Sequence, residues 1–227
     1  MGRIKAILVD LDGTLVEFKI DYIGARREAI KILEGLGLFP NSLFSINDSV
    51  FKMSEKASDY LRKIGMEERV AEEIHATLMR VLDKYEMEAA RNTAPLPEAA
   101  ETLAKLKSIG PRLVLFTSNG EKAVNYVLTK FQLNHYFDLR LSRDAVPKAK
   151  PHPDHALTAL SILGVKREEA VIVGDGHPDI QSAKAAGIVS VGVLSGRAQR
   201  SDLEKAGADY IISSIKDFPE LLKEIDS

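Results

Sequence analysis

The stretch AILVDLDGTLV, residues 6–16, decides how the rest of the chain is read. Ala6 to Val9 form a continuous apolar run, the pattern of a strand buried on both faces. That run meets two acids one residue apart, Asp10 and Asp12, and then Gly13 and Thr14. Like charges repel, and moving a carboxylate out of water is costly unless a partner compensates it. Asp-x-Asp-Gly is also ordinary turn chemistry. The choice between a turn and a site therefore depends on what ends the other strands.

From Pro97 onward two periods alternate. EAAETLAKLKSIG (98–110) is helical, RLVLF (112–116) is an apolar strand, and EKAVNYVLTKFQL (121–133) is helical again. The short strand DLRLS (138–142) and the helix PDHALTALSILG (153–164) follow. Then come the strands AVIVG, VSVGV and DYIIS, separated by the helices PDIQSAKAAG and RSDLEKAG, with a last helix expected over IKDFPELLKEI (215–225). Repeated βα units with doubly apolar strands predict an α/β fold, a Rossmann-like parallel sheet with helices on both faces. Residues 16–92 differ, reading as three amphipathic helices with no strand among them. The expected organisation is an α/β core over 1–15 and 93–227 with an all-helical domain, 16–92, inserted after the first strand. Pro95 and Pro97 stiffen the return, and the two crossings together suit a hinge.

Each strong strand ends in polar residues of a particular kind. The first ends in Asp10 and Asp12, the second in Thr117, Ser118 and Asn119, and another in Asp175, followed by Asp179. A loop adds Lys148 and Lys150, the latter before Pro151. Parallel strands would bring all of these to one edge, where such sheets bind ligands. Gathered there, the carboxylates require a cation, and hard oxygen donors without cysteine favour Mg²⁺, which commonly shares a substrate phosphate. Lys150 adds positive charge, and Thr117 and Ser118 offer donors suited to phosphate oxygens. Asp10 is placed to attack phosphorus, and Asp12 to protonate the leaving oxygen and then activate water. Each feature has a plain alternative: Asp175-Gly176 as a turn, Asp179 matching a helix dipole, Thr117–Gly120 capping the next helix, Lys150 as a loop charge. Their recurrence at successive strand ends favours the site. His152, His155 and His177 read as solvated or helix-capping rather than metal-binding, because Pro153 interrupts the segment. No dinucleotide loop, Walker A pattern or Gly-x-Ser-x-Gly elbow is present.

Bulk properties narrow the classes further. The 227 residues are 45% hydrophobic, and 31 basic side chains face 33 acidic ones for a formal net charge of −2. Such balance speaks against a nucleic-acid partner. Cysteine is absent, which excludes disulfides and thiolate metal sites. The apolar run IKAILV is too short for a signal sequence or membrane span. The expectation is a soluble cytoplasmic protein, with no membrane partner, acting on a small phosphorylated molecule; oligomeric state is not legible.

Taken together, these stretches resemble the haloacid dehalogenase-like (HAD) hydrolase superfamily, in its phosphoglycolate-phosphatase-like branch. DLDGT matches the first motif of that family, Thr117 of LVLFTSN the second, Lys150 of KPHPD the third, and VGDGHPDI the fourth. YFDLRLS and DIQSAKAAG also read like the family, and the helical insert resembles its C1-type cap. The resemblance implies Asp10 as nucleophile, Asp12 as general acid and base, and Thr117 and Lys150 as holders of the phosphoryl group. It also implies Mg²⁺ on the Asp10 carboxylate, the Asp12 main-chain carbonyl and Asp175, with Asp179 as ligand or close support. The activity implied is Mg²⁺-dependent hydrolysis of a small phosphomonoester, phosphoglycolate or a sugar phosphate, through an aspartyl phosphate. A β-phosphoglucomutase-type mutase and a non-catalytic phospho-ligand sensor are the alternatives; a dehalogenase is disfavoured because that branch lacks an acid at the position of Asp12. Glu17-Phe18 and Glu98 depart from the common pattern, the latter where many relatives have glycine.

Overall fold

The computed structural model describes residues 3–226. In chain order the elements are β1 (Ala6–Val9), α1 (Tyr22–Gly35), α2 (Val50–Lys63), α3 (Glu68–Asn92), α4 (Ala99–Ile109), β2 (Arg112–Phe116), α5 (Glu121–Lys130) and β3 (Leu139–Leu141). They continue with α6 (Pro153–Leu163), β4 (Ala170–Gly174), α7 (His177–Ala186), β5 (Val189–Val193), α8 (Arg200–Ala206), β6 (Tyr210–Ile212) and α9 (Phe218–Ile225). The six strands form one sheet in the order β3-β2-β1-β4-β5-β6, and every neighbouring pair is parallel.

Alternate residues of a strand face opposite sides of the sheet, so a strand covered on both sides must be apolar throughout. That is why Ala6–Val9 and Ala170–Gly174 are uninterrupted. Leu8, Phe116 and Ile172 pack with Ala156 and Leu160 of α6 and Ala183 of α7. On the other parity Ile7, Val9, Leu113 and Leu115 are equally buried, as are Leu103 and Leu106 of α4. Two expected helices are shorter than their apolar pattern. α5 stops at Lys130 because Gln132 takes a left-handed backbone, φ 58°. The helix expected over 215–225 resolves into a 3-10 turn, Ile215–Asp217, followed by α9, since Pro219 lacks an N–H and is tolerated only in a first helical turn.

The described chain separates into two units, residues 3–19 with 92–226 and residues 20–91. In the second, α1, α2 and α3 bury Ala25, Ala29, Leu33, Met53, Leu61 and Leu78 among themselves. Asp21 caps α1 by accepting the Gly24 N–H at 2.8 Å, and Ser49 caps α2 by accepting that of Lys52 at 3.1 Å. Residues 16–19, expected in the helical segment, group instead with the sheet unit. The Glu17 N–H donates to the Ala94 carbonyl at 2.8 Å, that of Leu96 to Leu15 at 2.9 Å, and Thr93 Oγ1 to the Glu17 carbonyl at 2.7 Å. Among the described residues no helix is long and apolar enough to cross a membrane.

Candidate active site

Because β1, β2 and β4 run parallel in register, Asp10, Thr117 and Asp175 leave the sheet at the same edge. β1 lies where the strand order reverses, the position at which open α/β sheets form a crevice. Asp10, Asp175 and Asp179 each present a carboxylate oxygen within 4.8 Å of the others, and all three are buried. Into this group reaches Lys150, whose Nζ lies 2.6 Å from Asp10 Oδ1 and 2.6 Å from Asp179 Oδ1 and donates to the Phe116 carbonyl at 2.9 Å. Asp179 sits in the first turn of α7, where its Oδ2 accepts the Gly176 N–H at 3.1 Å. Asp175 Oδ2 accepts the Arg197 N–H at 2.8 Å.

The electrostatics follow from burial. Loss of water pushes the Asp10 carboxyl well above its ordinary range; Lys150 opposes this, while Asp179 and Asp175 reinforce it. Desolvation and then Asp179 raise Asp175 to about 6, against the Arg197 N–H and the charge of Lys150. Burial disfavours the Lys150 ammonium, but Asp10 and Asp179 outweigh it and hold the proton more firmly than on a free lysine. Three clustered carboxylates thus face one ammonium. An all-oxygen, buried and net anionic group of this kind fits a hard divalent cation such as Mg²⁺.

Asp12 is turned elsewhere. Its Oδ2 accepts the Asn119 Nδ2–H at 2.5 Å, and its carboxylate stands outside the cluster formed by the other three acids. Asn119 also donates its N–H to Thr117 Oγ1 at 3.2 Å, while the Thr117 N–H donates to the Leu141 carbonyl at 3.1 Å. Ser118 is half-buried, and its carbonyl accepts from Arg143 Nη1 at 3.1 Å. Lys148 is exposed where Lys150 is buried. Gly13 has φ 80°, and a Cβ there would lie 2.5 Å from Asp175 Oδ2, so both conformation and space require glycine.

The three histidines part company. His152 caps α6, its Nδ1 accepting the Asp154 N–H at 3.2 Å, and His177 is exposed at the start of α7. His155, expected to be solvated or capping, is instead fully buried, because the third position of α6 turns inward onto Phe116. Sequence reasoning also missed the loop after β5, where Ser195 Oγ donates to the Gly13 carbonyl at 2.7 Å and Arg197 meets Asp175. Its signal was available: small residues, Ser195 and Gly196, at the end of another parallel strand. Arg143, buried beside Ser118, gave no such signal.

The family model described as haloacid dehalogenase-like hydrolase matches residues 7–193, a span that takes in five of the six strands and all the acids at the sheet edge. The chain belongs to that family and is a hydrolase. It is 32% identical over 228 residues to the phosphoglycolate phosphatase of Neisseria meningitidis, covering 97% of this chain and 94% of that protein. A phosphoglycolate phosphatase of Caulobacter vibrioides is 31% identical, covering 94% and 89%. Among solved structures, a hydrolase from Pseudomonas syringae aligns with TM-score 0.72 at 26% identity, covering 98% of this chain and 100% of that one.

Proposed function

We propose that the protein is a Mg²⁺-dependent phosphatase of small phosphomonoesters, of the phosphoglycolate or sugar phosphate class, working through an aspartyl phosphate. The observation that carries this reading is the buried ammonium of Lys150 held between Asp10 and Asp179 at the edge of the sheet. In the first step Asp10 forms a bond to phosphorus, the bond from phosphorus to the substrate oxygen breaks, and Asp12 donates its proton to that oxygen. In the second, Asp12 takes a proton from water, the water oxygen bonds to phosphorus, and the bond to Asp10 breaks. Asn119 orients Asp12 for both transfers through its amide. Thr117, Ser118, Asn119 and Lys150 hold the phosphoryl oxygens, with Lys150 offsetting charge on the nucleophile and the phosphoryl group. Asp10, the main-chain carbonyl of Asp12, Asp175 and Asp179 would hold Mg²⁺, which when bound supplies charge neutralisation at the phosphoryl oxygens. The near full-length likeness to proteins named phosphoglycolate phosphatase supports that substrate in particular.

The test is phosphate release by the purified full chain from an aryl phosphate, phosphoglycolate and a panel of sugar phosphates, with EDTA and after restoring Mg²⁺. EDTA should abolish release and Mg²⁺ should restore it better than Ca²⁺, whose larger and looser coordination suits in-line geometry poorly. Undiminished release in EDTA would remove the metal from this reading. Isomerisation of a sugar phosphate primed by a bisphosphate, without net phosphate release, would replace hydrolysis by mutase chemistry.

A further inference from the structure

His155 has no part in the chemistry above, yet it lies between two of the groups that do. Its Nδ1 is 3.2 Å from the Lys150 main-chain nitrogen, and its Nε2 is 3.2 Å from the Leu141 carbonyl oxygen. The same carbonyl accepts the Thr117 N–H at 3.1 Å. The ring centroid lies 4.4 Å from that of Phe116, whose own carbonyl accepts from Lys150 Nζ. A main-chain N–H can only donate and a carbonyl can only accept, so these partners fix the tautomer: Nδ1 bare, Nε2 protonated. Both polar atoms of a fully buried ring are thereby satisfied.

We propose that His155 is a positioning residue, a neutral ring whose bare Nδ1 fixes the main-chain start of Lys150, while the Leu141 carbonyl serves only to orient the ring for that bond. Burial, helped by the nearby charge of Lys150, lowers its pKa to about 3, so the ring keeps this hydrogen-bond polarity across the neutral range. The inference rests on the phosphatase reading for the role of Lys150, but the hydrogen bond itself does not. A lysine stem is long and flexible; fixing its main-chain start decides where the ammonium returns after each turnover.

Two substitutions separate positioning from filling space. In His155→Asn the Oδ1 falls where Nδ1 was and accepts the Lys150 N–H, while the bond to Leu141 is lost. In His155→Gln the terminal amide falls where Nε2 was and keeps Leu141, while the Lys150 N–H loses its acceptor. Amide exchange at Lys150 should stay protected in the Asn variant and become fast in the Gln variant. With Mg²⁺ saturating, kcat on an aryl phosphate should stay within about threefold for Asn and fall roughly tenfold to a hundredfold for Gln, KM moving little, since small misplacements of a catalytic group cost that much. His155→Leu packs on Phe116 but carries neither polar atom; it must follow the Gln variant, and it takes that variant's place if the Gln chain does not fold. Equal kinetics and equal exchange in the Asn and Gln variants, or the reverse order, would overturn the proposal. A wild-type protein that releases no phosphate sinks the phosphatase reading instead, and the exchange pattern at Lys150 then decides this inference alone.

Discussion

Lys150 and Lys84 each hold a carboxylate oxygen at 2.6 Å, one in the sheet unit against Asp10 and Asp179, the other in the helical unit against Glu28. The side chains of the first group are 3, 9 and 4% exposed; those of the second are 59 and 32% exposed. Water screens the Lys84 pair, so its attraction is nearly balanced by the entropy of holding two long side chains together. Nothing screens Lys150, and removing it would leave carboxylates buried without their counter-charge. Other ion pairs of the helical unit, Lys52–Glu55, Arg62–Asp59 and Arg69–Glu73, are of the Lys84 kind. Distance alone therefore says little about what a charge pair does. Where the backbone forces it, at a strand end or on a helix face, says much more.

The comparison is broken most directly at Asp10, the proposed nucleophile. Asp10→Asn keeps the size of the side chain but cannot form an acyl phosphate. It should lower kcat by at least about a thousandfold, roughly 4 kcal/mol of transition-state stabilisation, whereas Asp59→Asn on α2 should leave kcat unchanged. More than about a tenth of wild-type turnover left in purified Asp10→Asn, a loss under ~1.4 kcal/mol, would show that the buried cluster is not the reacting centre.

Next come the lysines. Lys150→Ala should cost on the order of a hundredfold in kcat/KM, about 3 kcal/mol, the scale of losing one preorganised electrostatic donor. Lys84→Ala should change neither kinetic constant, and its effect on thermal unfolding should be small. Lys148→Ala sharpens the contrast inside one loop, since Lys148 is exposed two residues from Lys150 and should cost under about threefold. Equal losses at 148 and 150 under the same Mg²⁺ and pH would refute the proposal that Lys150 is the charge that holds the phosphate.

Much of this contrast was legible beforehand, and the reasons are local. Ala6–Val9 and Ala170–Gly174 announce two-sided burial by having no polar alternation, and parallel pairing then carries Asp10, Thr117 and Asp175 to one edge. Spacing could not tell which way a side chain at that edge turns. Asp12 lies in the same short motif as Asp10, yet its carboxylate goes to Asn119. Nor does helical periodicity identify what lies opposite an inward-facing residue. His155 looked like one of three histidines around Pro153, and only the packing of α6 on Phe116 shows it to be buried. Arg143 and the Ser195–Arg197 loop join the site through contacts between segments far apart in sequence.

A smaller effect belongs to proton uptake. The folded protein keeps His155 neutral down to about pH 3, whereas an unfolded chain protonates it near 6.5. As pH falls through that window the unfolded state binds the extra proton, so stability drops by about 1.4 kcal/mol per unit at most. Asp10 and Asp175 work the other way, since their raised pKa values let the folded state take protons first. The wild-type curve mixes these trends, and subtraction separates them. Between pH 6.5 and 5 metal-free wild type should lose about 1.6 kcal/mol relative to His155→Asn, which cannot titrate there. Urea titrations at the two pH values measure it; parallel stability curves for the two proteins would mean that the ring is charged while folded.

The smallest effect compares backbone rather than charge. In the helical unit the left-handed turn after α2 is made by Gly65, φ 76°, with no atom within 4 Å of where a Cβ would sit. In the sheet unit the left-handed position before α4 is held by Glu98, φ 61° and ψ 9°, whose side chain makes no capping hydrogen bond. An L-residue with a Cβ costs roughly 1–2 kcal/mol in that region, while glycine loses about 0.5–1 kcal/mol more conformational freedom on folding. Glu98→Gly should therefore stabilise the protein by up to about 1 kcal/mol, and Gly65→Ala should destabilise it by a similar amount. Neither should change kcat, because no residue of the carboxylate cluster is touched. Unfolding midpoints in urea at unchanged slope give both values. A Glu98→Gly protein less stable than wild type would show that the glutamate side chain contributes more than its backbone conformation costs.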